Sequence, residues 1–484
     1  MYCAVALALR LLLSSNIESD ESFFVGKLAW FLGYGKSQPP LYHWLVILVM
    51  RAFDYWPAIS ILKYASLTAT ALLVYDTTRR ASDSRVTGAM AALSLAFIHQ
   101  IIWLSQLTLS HAVLAIAAAA ATLHALTLVL QRGSIGNFIW LGVAVTVGLL
   151  SKYNFAVYVI SVVIAAVSMR EFRVALWRPQ LAITTAIVCL AVEPHGLWAA
   201  QHPDATTVRA QKLYTQKFVF GYRLALGGLT GLASLLWAAL SSVVPMAAIR
   251  VVVEGRLSRS EPSAVIPPGT LVRKLCLRTL IVAVGICAVV VVAGGVKNVP
   301  ERYLASLVIP FPIWLALAYP LEWEPRVALR YAAIAATTAV LCMMALTARM
   351  LFGANEYTFP YKAVAADITK FAQPPFAVFA RTIEQRANIV IRIPGAQPFD
   401  PKQVPPRVLA VWNAADGERP KFIEPTLGKR YESDGPAQLI EHPYAHFSRK
   451  QARIYAQLWR IKGDSDAAPP DRSSEEDAEQ TEPE

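Results

Sequence analysis

The chain has 484 residues, of which 55% are hydrophobic and only 16% are charged, and its mean hydropathy is +0.43. Soluble domains carry a charged fraction of roughly 25%, so this composition excludes an ordinary soluble protein and predicts a membrane protein. The net charge of +12 does not indicate nucleic-acid binding, because the basic residues lie in loops between apolar segments, where positive-inside topology and anionic lipid explain them.

Long apolar segments run from the N-terminus to about Phe352 and predict a polytopic α-helical membrane protein. A segment of about 17–25 residues can cross about 30 Å of hydrocarbon, and we count about eleven such spans. In chain order they are 1–14, 57–77, 85–104, 107–130, 135–150, 152–169, 178–199, 224–250, 275–296, 303–320 and 329–351. The apolar segment Tyr42–Phe53 is too short to cross unaided and predicts an interfacial or re-entrant helix.

The arginine and lysine residues of the short connections favour a cytoplasmic N-terminus. In that orientation the even-numbered connections face the cytoplasm. The opposite side of the membrane receives the first loop, later connections that follow odd-numbered spans, and the C-terminal domain. These extracytoplasmic segments are 18–41, 151–154, 200–223, 297–302 and the residues after 352. The small loops and the absence of cysteine after residue 352 favour a bacterial inner membrane.

A change of composition after residue 352 predicts three parts. They are a transmembrane core at 1–352 with a first loop at 15–41, a small extracytoplasmic α/β domain at 353–462, and a tail at 463–484. The tail has nine acidic residues and one arginine and should be disordered, because it has nothing to bury. In the α/β domain the patterns predict a helix at Val364–Phe371 and strands at Phe376–Phe379, Ile389–Ile393, Val408–Trp412 and Gln457–Ile461.

The first loop begins with three carboxylates in four residues, Glu18, Asp20 and Glu21. Carboxylates at a membrane edge are costly to desolvate, so they either face water or take part in chemistry. One of them could act as a general base on an acceptor hydroxyl or hold a cation against a phosphate. The loop ends with Pro39 and Pro40, which cannot continue a helix and either shape the loop or simply stop the preceding helix.

Two later cations lie at the extracytoplasmic ends of apolar segments, Lys152 and Arg302. Each could bind a phosphate, and each could instead be an interfacial anchor whose charge reaches water. Glu193, His195 and His202 match no standard metal-site spacing, and all five cysteines lie in apolar segments. The sequence therefore predicts neither a metal site nor a disulfide framework.

The first loop as a whole resembles that of C-type membrane glycosyltransferases. Asp20-Glu21 is followed by an aromatic run with Gly33-Tyr34, and then by Gln38-Pro39-Pro40-Leu41. Gly148-Leu149-Leu150-Ser151-Lys152-Tyr153 and Arg302-Tyr303-Leu304 resemble two further motifs of the same enzymes. The branch is family 39-like and is related to dolichyl-phosphate-mannose protein mannosyltransferases and to the aminoarabinose transferase of lipid A.

The resemblance implies transfer of a sugar from a polyprenyl-phosphate lipid to an extracytoplasmic glycan, lipid or protein, with Asp20 as the catalytic base and Glu21 as its acidic neighbour. It implies that Lys152, Arg302 and Lys36 bind the donor phosphate. The remaining cavity residues that it implies are Tyr34, Gln38, Pro39, Pro40, Tyr153, His195 and Tyr303. Gln38 replaces the His or Lys usual in these enzymes, so no charged role follows there. No ATP-binding motif is present, and no cofactor is expected, with a divalent cation beside the phosphate left open.

Two other functions are compatible with parts of this pattern. A transporter or flippase of lipid-linked sugars would need ionisable groups near the bilayer midplane and two related halves. Arg10 and Lys63 are the clear charges within predicted spans, and no two halves match. The other alternative is an inactive scaffold with the C-terminal domain as a binding module. The polar motifs gather at one membrane face, which favours the enzyme.

Overall fold

The computed structural model describes residues 1–22, 25, 38–203, 222–254, 268–319 and 325–462. The chain divides into two compact units, Met1–Ala8 with Ala29–Ala345 and Leu9–Leu28 with Leu346–Glu484. This division differs from the sequence-based one, because the acidic part of the first loop belongs with the C-terminal domain. The predicted tail at 463–484, Tyr34 and Lys36 lie outside the described residues.

Helices make up nearly all the regular structure before residue 352. They are α1 (Tyr2–Leu13), α2 (Ser19–Ser22), α3 (Leu41–Val49), α4 (Tyr55–Ser82), α5 (Arg85–Ser94), a 3₁₀ turn (Leu95–Phe97), a π-helical turn (Gln100–Leu104), α6 (Ser105–Leu107), α7 (Ser110–Gln131), α8 (Ile135–Leu149), α9 (Phe155–Val167), α10 (Arg170–Leu176), α11 (Leu181–Gln201), α12 (Tyr222–Glu254), α13 (Pro268–Gly294), a 3₁₀ turn (Glu301–Tyr303), α14 (Pro310–Ala318) and α15 (Pro325–Leu351).

Among the described residues, six helices are long and apolar enough to cross a membrane, or up to eight if two bent pairs are each one span. The six are α4, α7, α11, α12, α13 and α15. The first bent pair joins Arg85–Phe97, which includes α5, to Gln100–Leu107 at 73°, and the second joins α9 and α10 at 107°. Helices α1 and α8 are shorter apolar helices, and α14 has nine residues. Each predicted span therefore has a helical counterpart, and the count of eleven stays a prediction.

Helix α7 is the most completely buried helix of the first unit, and small side chains explain its packing. The run Ala117–Ala121 is buried together with most of the helix. Small residues let helix backbones approach closely in a membrane protein. The hydroxyls of Thr122 and Thr127 donate to the carbonyls of Ala118 and Leu123 at 2.8 Å. Their polar groups are thus satisfied within the helix, without a partner from lipid.

The second unit contains a six-stranded mixed sheet with helices α16 (Tyr361–Phe371), α17 (Ile383–Val390) and α18 (Ile423–Leu427). Its strands are β1 (Phe376–Ala380), β2 (Ala396–Pro398), β3 (Arg407–Asn413), β4 (Tyr431–Ser433), β5 (Gln438–Pro443) and β6 (Gln451–Ile461). The order is β2-β1-β3-β6-β4, and β5 also pairs with β6. Strand β1 runs parallel to β2 and β3, whereas β6 runs antiparallel to β3, β4 and β5.

Strand β3 is buried on both faces of this sheet. Leu409 and Val411 lie in one apolar cluster with Ile368 of α16, and Trp412 lies in a second cluster with Leu427 of α18. Successive side chains of a strand point to opposite faces, so one strand serves both cores. The sheet therefore gives the second unit a hydrophobic core of its own.

Most predicted elements of the C-terminal domain are confirmed, and one is wrong. The predicted helix lies within α16, and three predicted strands lie within β1, β3 and β6. The fourth, Ile389–Ile393, instead spans the end of α17 and the turn after it. Ile389 and Ile393 are four residues apart and both buried, a spacing that also fits the end of a helix.

Candidate active site

The carboxylates of the first loop lie on a short helical turn in the second unit. Helix α2 carries Asp20 and Glu21 in its first turn, and Glu18 directly precedes the helix. Glu18 and Glu21 are 7% and 3% exposed, whereas Asp20 is partly exposed. The turn therefore buries two of its carboxylates and leaves the third accessible to solvent.

Each buried carboxylate of the turn meets an arginine. Glu21 Oε2 lies 3.3 Å from Arg10 Nη2, and Glu18 Oε1 lies 3.3 Å from Arg349 Nη2. Both guanidinium groups lie over the ring of Tyr357, at 4.9 and 5.7 Å from its centroid. Because a buried charge without its counter-charge is costly, each pair restricts where its carboxylate can lie. Burial raises the pKa of the Tyr357 hydroxyl, so this ring stays neutral between the two cations.

The contacts of Arg10 with the acidic turn are not evident from the sequence pattern. Arg10 was interpreted only as a charge within the first span. The structure buries it against Glu21 and bonds it to the carbonyls of Ser14 and Asn16. The available signal was the acidic loop itself, since buried carboxylates require nearby cations.

In the first unit, the side chain of Lys152 contacts the 3₁₀ turn that carries Arg302. The Lys152 side chain is largely buried, and its Nζ lies 3.5 Å from the carbonyl oxygen of Arg302. Both cations lie near the ring of Tyr303, at 5.5 and 6.0 Å from its centroid. Asn154 Nδ2 donates to the Tyr303 carbonyl at 2.9 Å and joins the two segments. Residues that lie 150 positions apart in the chain are thus brought together, and their binding of phosphate stays a prediction.

The glycine of the Lys152 motif is required by close packing. A Cβ atom at Gly148 would overlap the ring of Phe155, which is completely buried. The Lys152 backbone N–H also donates to the Gly148 carbonyl at 3.2 Å. Helix α8 can therefore end in a tight turn that places Lys152 next to Phe155, and a larger residue at 148 would displace that turn.

The predicted cavity residues Gln38, Pro39 and Pro40 are buried in the first unit. The residue after them, Leu41, donates its backbone N–H to the carbonyl of Leu150 at 3.0 Å. This bond fixes the end of the first loop to the turn that precedes Lys152. The proline pair therefore does more than stop a helix, because the chain after it is attached to a second motif.

The predicted cavity residues Tyr153 and His195 contact each other directly. The Tyr153 hydroxyl lies 3.1 Å from His195 Nε2, and their rings stack at 5.7 Å. The stack continues along α11 through Trp198 to His202. Burial raises the pKa of Tyr153 to about 12, so its hydroxyl remains protonated at physiological pH.

The described residues contain no group of three or more His, Cys, Asp or Glu side chains that could hold a metal ion. Pro194 lies inside α11, which continues through it to Gln201. His195 is buried and stacked in the aromatic row, whereas Glu193 is exposed. The environments of these two side chains therefore differ, and metal dependence stays a prediction.

Three comparisons with known proteins bear on this geometry. Residues 37–198 match the family described as dolichyl-phosphate-mannose-protein mannosyltransferase. Two relatives from Rhizobium johnstonii (strain DSM 114642 / LMG 32736 / 3841) are each 27% identical over 65% of this chain. They are named lipopolysaccharide core galacturonosyltransferase RgtB and RgtA, and the matched regions cover 63% and 62% of their lengths. The chain thus matches less than two thirds of either relative.

The fold is similar to that of ArnT from Cupriavidus metallidurans, whose crystal structure contains undecaprenyl phosphate. The TM-score is 0.61 at 13% sequence identity, and the match covers 97% of this chain and 98% of that one. A polytopic helical membrane protein with a small C-terminal sheet domain, as predicted from the sequence, is therefore confirmed. Together the three comparisons confirm the resemblance to family 39-like C-type membrane glycosyltransferases that the first-loop motif indicated.

Proposed function

We propose that this chain, which resembles C-type membrane glycosyltransferases in motifs, relatives and fold, transfers a sugar from a polyprenyl-phosphate donor to an extracytoplasmic acceptor. The names of the two relatives support a lipopolysaccharide glycan as the acceptor and a hexuronic acid as the sugar. The undecaprenyl phosphate in the ArnT structure supports the class of lipid carrier. We place the chain in a bacterial inner membrane with the C-terminal domain outside the cytoplasm.

The observation that carries this proposal is the meeting of Lys152 and Arg302 at Tyr303. Two cations that both lie near the Tyr303 ring could contact one anion together, and such an anion would be attracted to both charges. A phosphate offers several acceptor oxygens, which suit the fork of an arginine and the point charge of a lysine. The donor phosphate is the anion that the proposed reaction supplies.

In the proposed reaction the acceptor hydroxyl oxygen attacks the anomeric carbon of the donor sugar. The new glycosidic bond forms as the bond from that carbon to the phosphate oxygen breaks, with inversion. Asp20 takes the hydroxyl proton as general base. Lys152 and Arg302 stabilise the negative charge that develops on the departing polyprenyl phosphate. Glu21, which is buried against Arg10, orients the turn, and Lys36 and Tyr34 remain predicted contributors.

The test compares lipopolysaccharide by mass spectrometry in three strains. They are a deletion, the deletion complemented with the wild-type chain, and the deletion complemented with Asp20→Asn at matched expression. We expect the deletion to lose the mass of one hexuronic acid, and wild type but not Asp20→Asn to restore it. General-base catalysis contributes typically 10²–10⁴-fold, so a loss of that size in Asp20→Asn is the quantitative expectation.

The flippase alternative predicts a different outcome in the same strains. A flippase would move the donor without using a catalytic base, so Asp20→Asn would restore the lost mass. Purified protein in nanodiscs with undecaprenyl-phosphate galacturonic acid and lipopolysaccharide from the deletion strain provides the second discriminating assay. Failure of the wild-type protein to transfer sugar in that assay would contradict the proposed function.

A further inference from the structure

We propose that the C-terminal sheet domain positions the acidic turn of the first loop, with Asn388 as the principal positioning residue. The inference rests on the proposed function in so far as it takes Asp20 to be the base. It assigns a role to a domain that carries none of the sequence motifs of the reaction. All the contacts that support it lie within the second unit.

The acidic turn needs outside support because of its length. Helix α2 has four residues, Ser19–Ser22. Isolated helices shorter than about 12–15 residues are marginally stable in water, because the conformational entropy lost in nucleation exceeds the free energy gained from a few hydrogen bonds. The orientation of α2 must therefore come from tertiary contacts, and the domain supplies them as directed polar bonds.

Asn388 provides the most direct of these contacts. Its Oδ1 accepts the backbone N–H of Ile17 at 3.0 Å, and its Nδ2 donates to the carbonyl of Ile17 at 2.8 Å. One amide side chain thus satisfies both backbone groups of a buried residue that lies two positions before α2. Asn388 is itself completely buried in α17, where its Nδ2 also donates to the Glu384 carbonyl at 2.9 Å.

Asn16 provides a second attachment in the opposite direction. Its Nδ2 donates to the carbonyls of Glu356 and Phe359 at 2.7 and 2.8 Å. Arg392 completes the link, because its guanidinium donates to Asn16 Oδ1 at 2.6 Å and to Asn388 Oδ1 at 3.0 Å. Burial lowers the pKa of Arg392 to about 10, which leaves it charged at neutral pH.

The ion pairs then fix the turn from its other side. Glu18 and Glu21 are held by Arg349 and Arg10, while Asp20 stays partly exposed. The segment is therefore bonded at the residues immediately before α2 and at the carboxylates that flank Asp20. This arrangement would set the direction of the Asp20 carboxylate, which is partly exposed.

A loose turn should affect the chemical step more than donor binding. A misplacement of about 1 Å can cost 10²-fold in rate when a catalytic group must be aligned. We therefore expect Asn388→Ala to lower kcat by roughly 10–100-fold, with KM for the lipid donor changed less than about 2-fold. A purely structural defect would instead lower the amount of folded protein and leave kcat per folded molecule unchanged.

The experiment measures hydrogen exchange and kinetics on the full-length protein in nanodiscs. The variant is Asn388→Ala, and the matched control is Asn413→Ala, an asparagine of the same domain that accepts a bond from Gln385 rather than holding the turn. The kinetic probes are undecaprenyl-phosphate galacturonic acid and lipopolysaccharide from the deletion strain. We expect faster exchange in residues 16–22 and a fall in kcat for Asn388→Ala alone.

The outcomes separate this inference from the proposed function. Unchanged exchange of residues 16–22 in Asn388→Ala would overturn the inference, even if kcat fell. Faster exchange with wild-type kcat would overturn it as well, because the position of the turn would then not matter for the chemistry. If wild type transfers no sugar, the proposed function fails, while the exchange data still decide whether the domain holds the turn. If Asn388→Ala does not fold, Arg392→Lys is the substitute variant. It removes the guanidinium group that donates to both Asn16 and Asn388.

Discussion

Removal of the Arg10 guanidinium is the most demanding test of how the acidic turn is held. The pair with Glu21 is almost fully buried, since both side chains are 4% exposed and the charged atoms lie 3.3 Å apart. Arg10→Met keeps the apolar bulk of the side chain and leaves the Glu21 carboxylate buried without this partner. Deleting one member of a buried pair costs about 3–5 kcal/mol.

A second substitution, Glu21→Gln, should recover part of the stability that Arg10→Met loses. Glu21 Oε2 accepts the backbone N–H of Glu18 at 3.3 Å, and a glutamine at 21 would keep an acceptor there. The double variant Arg10→Met, Glu21→Gln removes both charges of this pair. Its remaining cost is the lost bonds to the carbonyls of Ser14 and Asn16, at about 0.5–1.5 kcal/mol each.

Hydrogen exchange of the amides at 14–22 gives the measurement. Each 1.4 kcal/mol of local opening free energy is a tenfold change, so Arg10→Met should speed exchange by roughly 10²–10⁴-fold and the double variant by less. Arg453→Met is the control, because the Arg453–Glu441 pair is exposed at 58% and 46% and such pairs contribute about 0–1 kcal/mol. Equal exchange in Arg10→Met and Arg453→Met, or no recovery in the double variant, would refute the reasoning.

Two further predictions concern the donor cations and the pH response of the sheet domain. Lys152→Gln should raise KM for the lipid donor by roughly 10–100-fold, which corresponds to the loss of one hydrogen bond to a charged group. The control is Lys297→Gln, at an exposed lysine, which should leave KM unchanged. Equal kinetics in the two variants would show that Lys152 does not bind the donor phosphate. Hydrogen bonds from Lys370 and then His442 lower the pKa of Asp367 below its ordinary value of 3.8, so its contribution to stability is present above that value and is lost as pH falls through the lowered pKa. Asp367→Asn should therefore speed exchange across α16 at pH 7, after correction for intrinsic rates, and the difference from wild type should shrink as pH falls below 3.8. A difference that does not shrink with falling pH would contradict this.

The sequence predicted the helices and the inner strands because their hydrophobic patterns are local. Every predicted span has a helical counterpart, and β3 was recognised because a strand buried on both faces is a continuous apolar run. The short strands β2, β4 and β5 were missed. Two of them have only three residues, which is too short to show an alternation of apolar and polar side chains. Their pairing with β1 or β6 also depends on contacts between residues far apart in the chain.

The site residues show the same division between local and long-range information. The motifs around Asp20, Lys152 and Arg302 stand out because polar residues interrupt apolar segments. Asn388 could not be found in this way, since it lies 371 positions from the backbone that it bonds. An asparagine that forms hydrogen bonds with backbone groups far away in the chain belongs to no periodic pattern and no local motif. Only the folded structure therefore shows its partner.

The charges of the acidic turn explain why two arginines of the second unit pair with it. Three carboxylates within four residues repel one another, and repulsion alone would spread the segment. Arg10 and Arg349 each compensate one of the two buried carboxylates, whereas Asp20 is partly exposed. A carboxylate at a partly exposed position suits a general base, because an acceptor hydroxyl must be able to reach it. If charge balance in the acidic turn matters for catalysis, neutralising Glu18 and Arg349 together should preserve kcat, whereas neutralising Arg349 alone should lower it. Equal kcat in the single and double variants would show that charge balance plays no part.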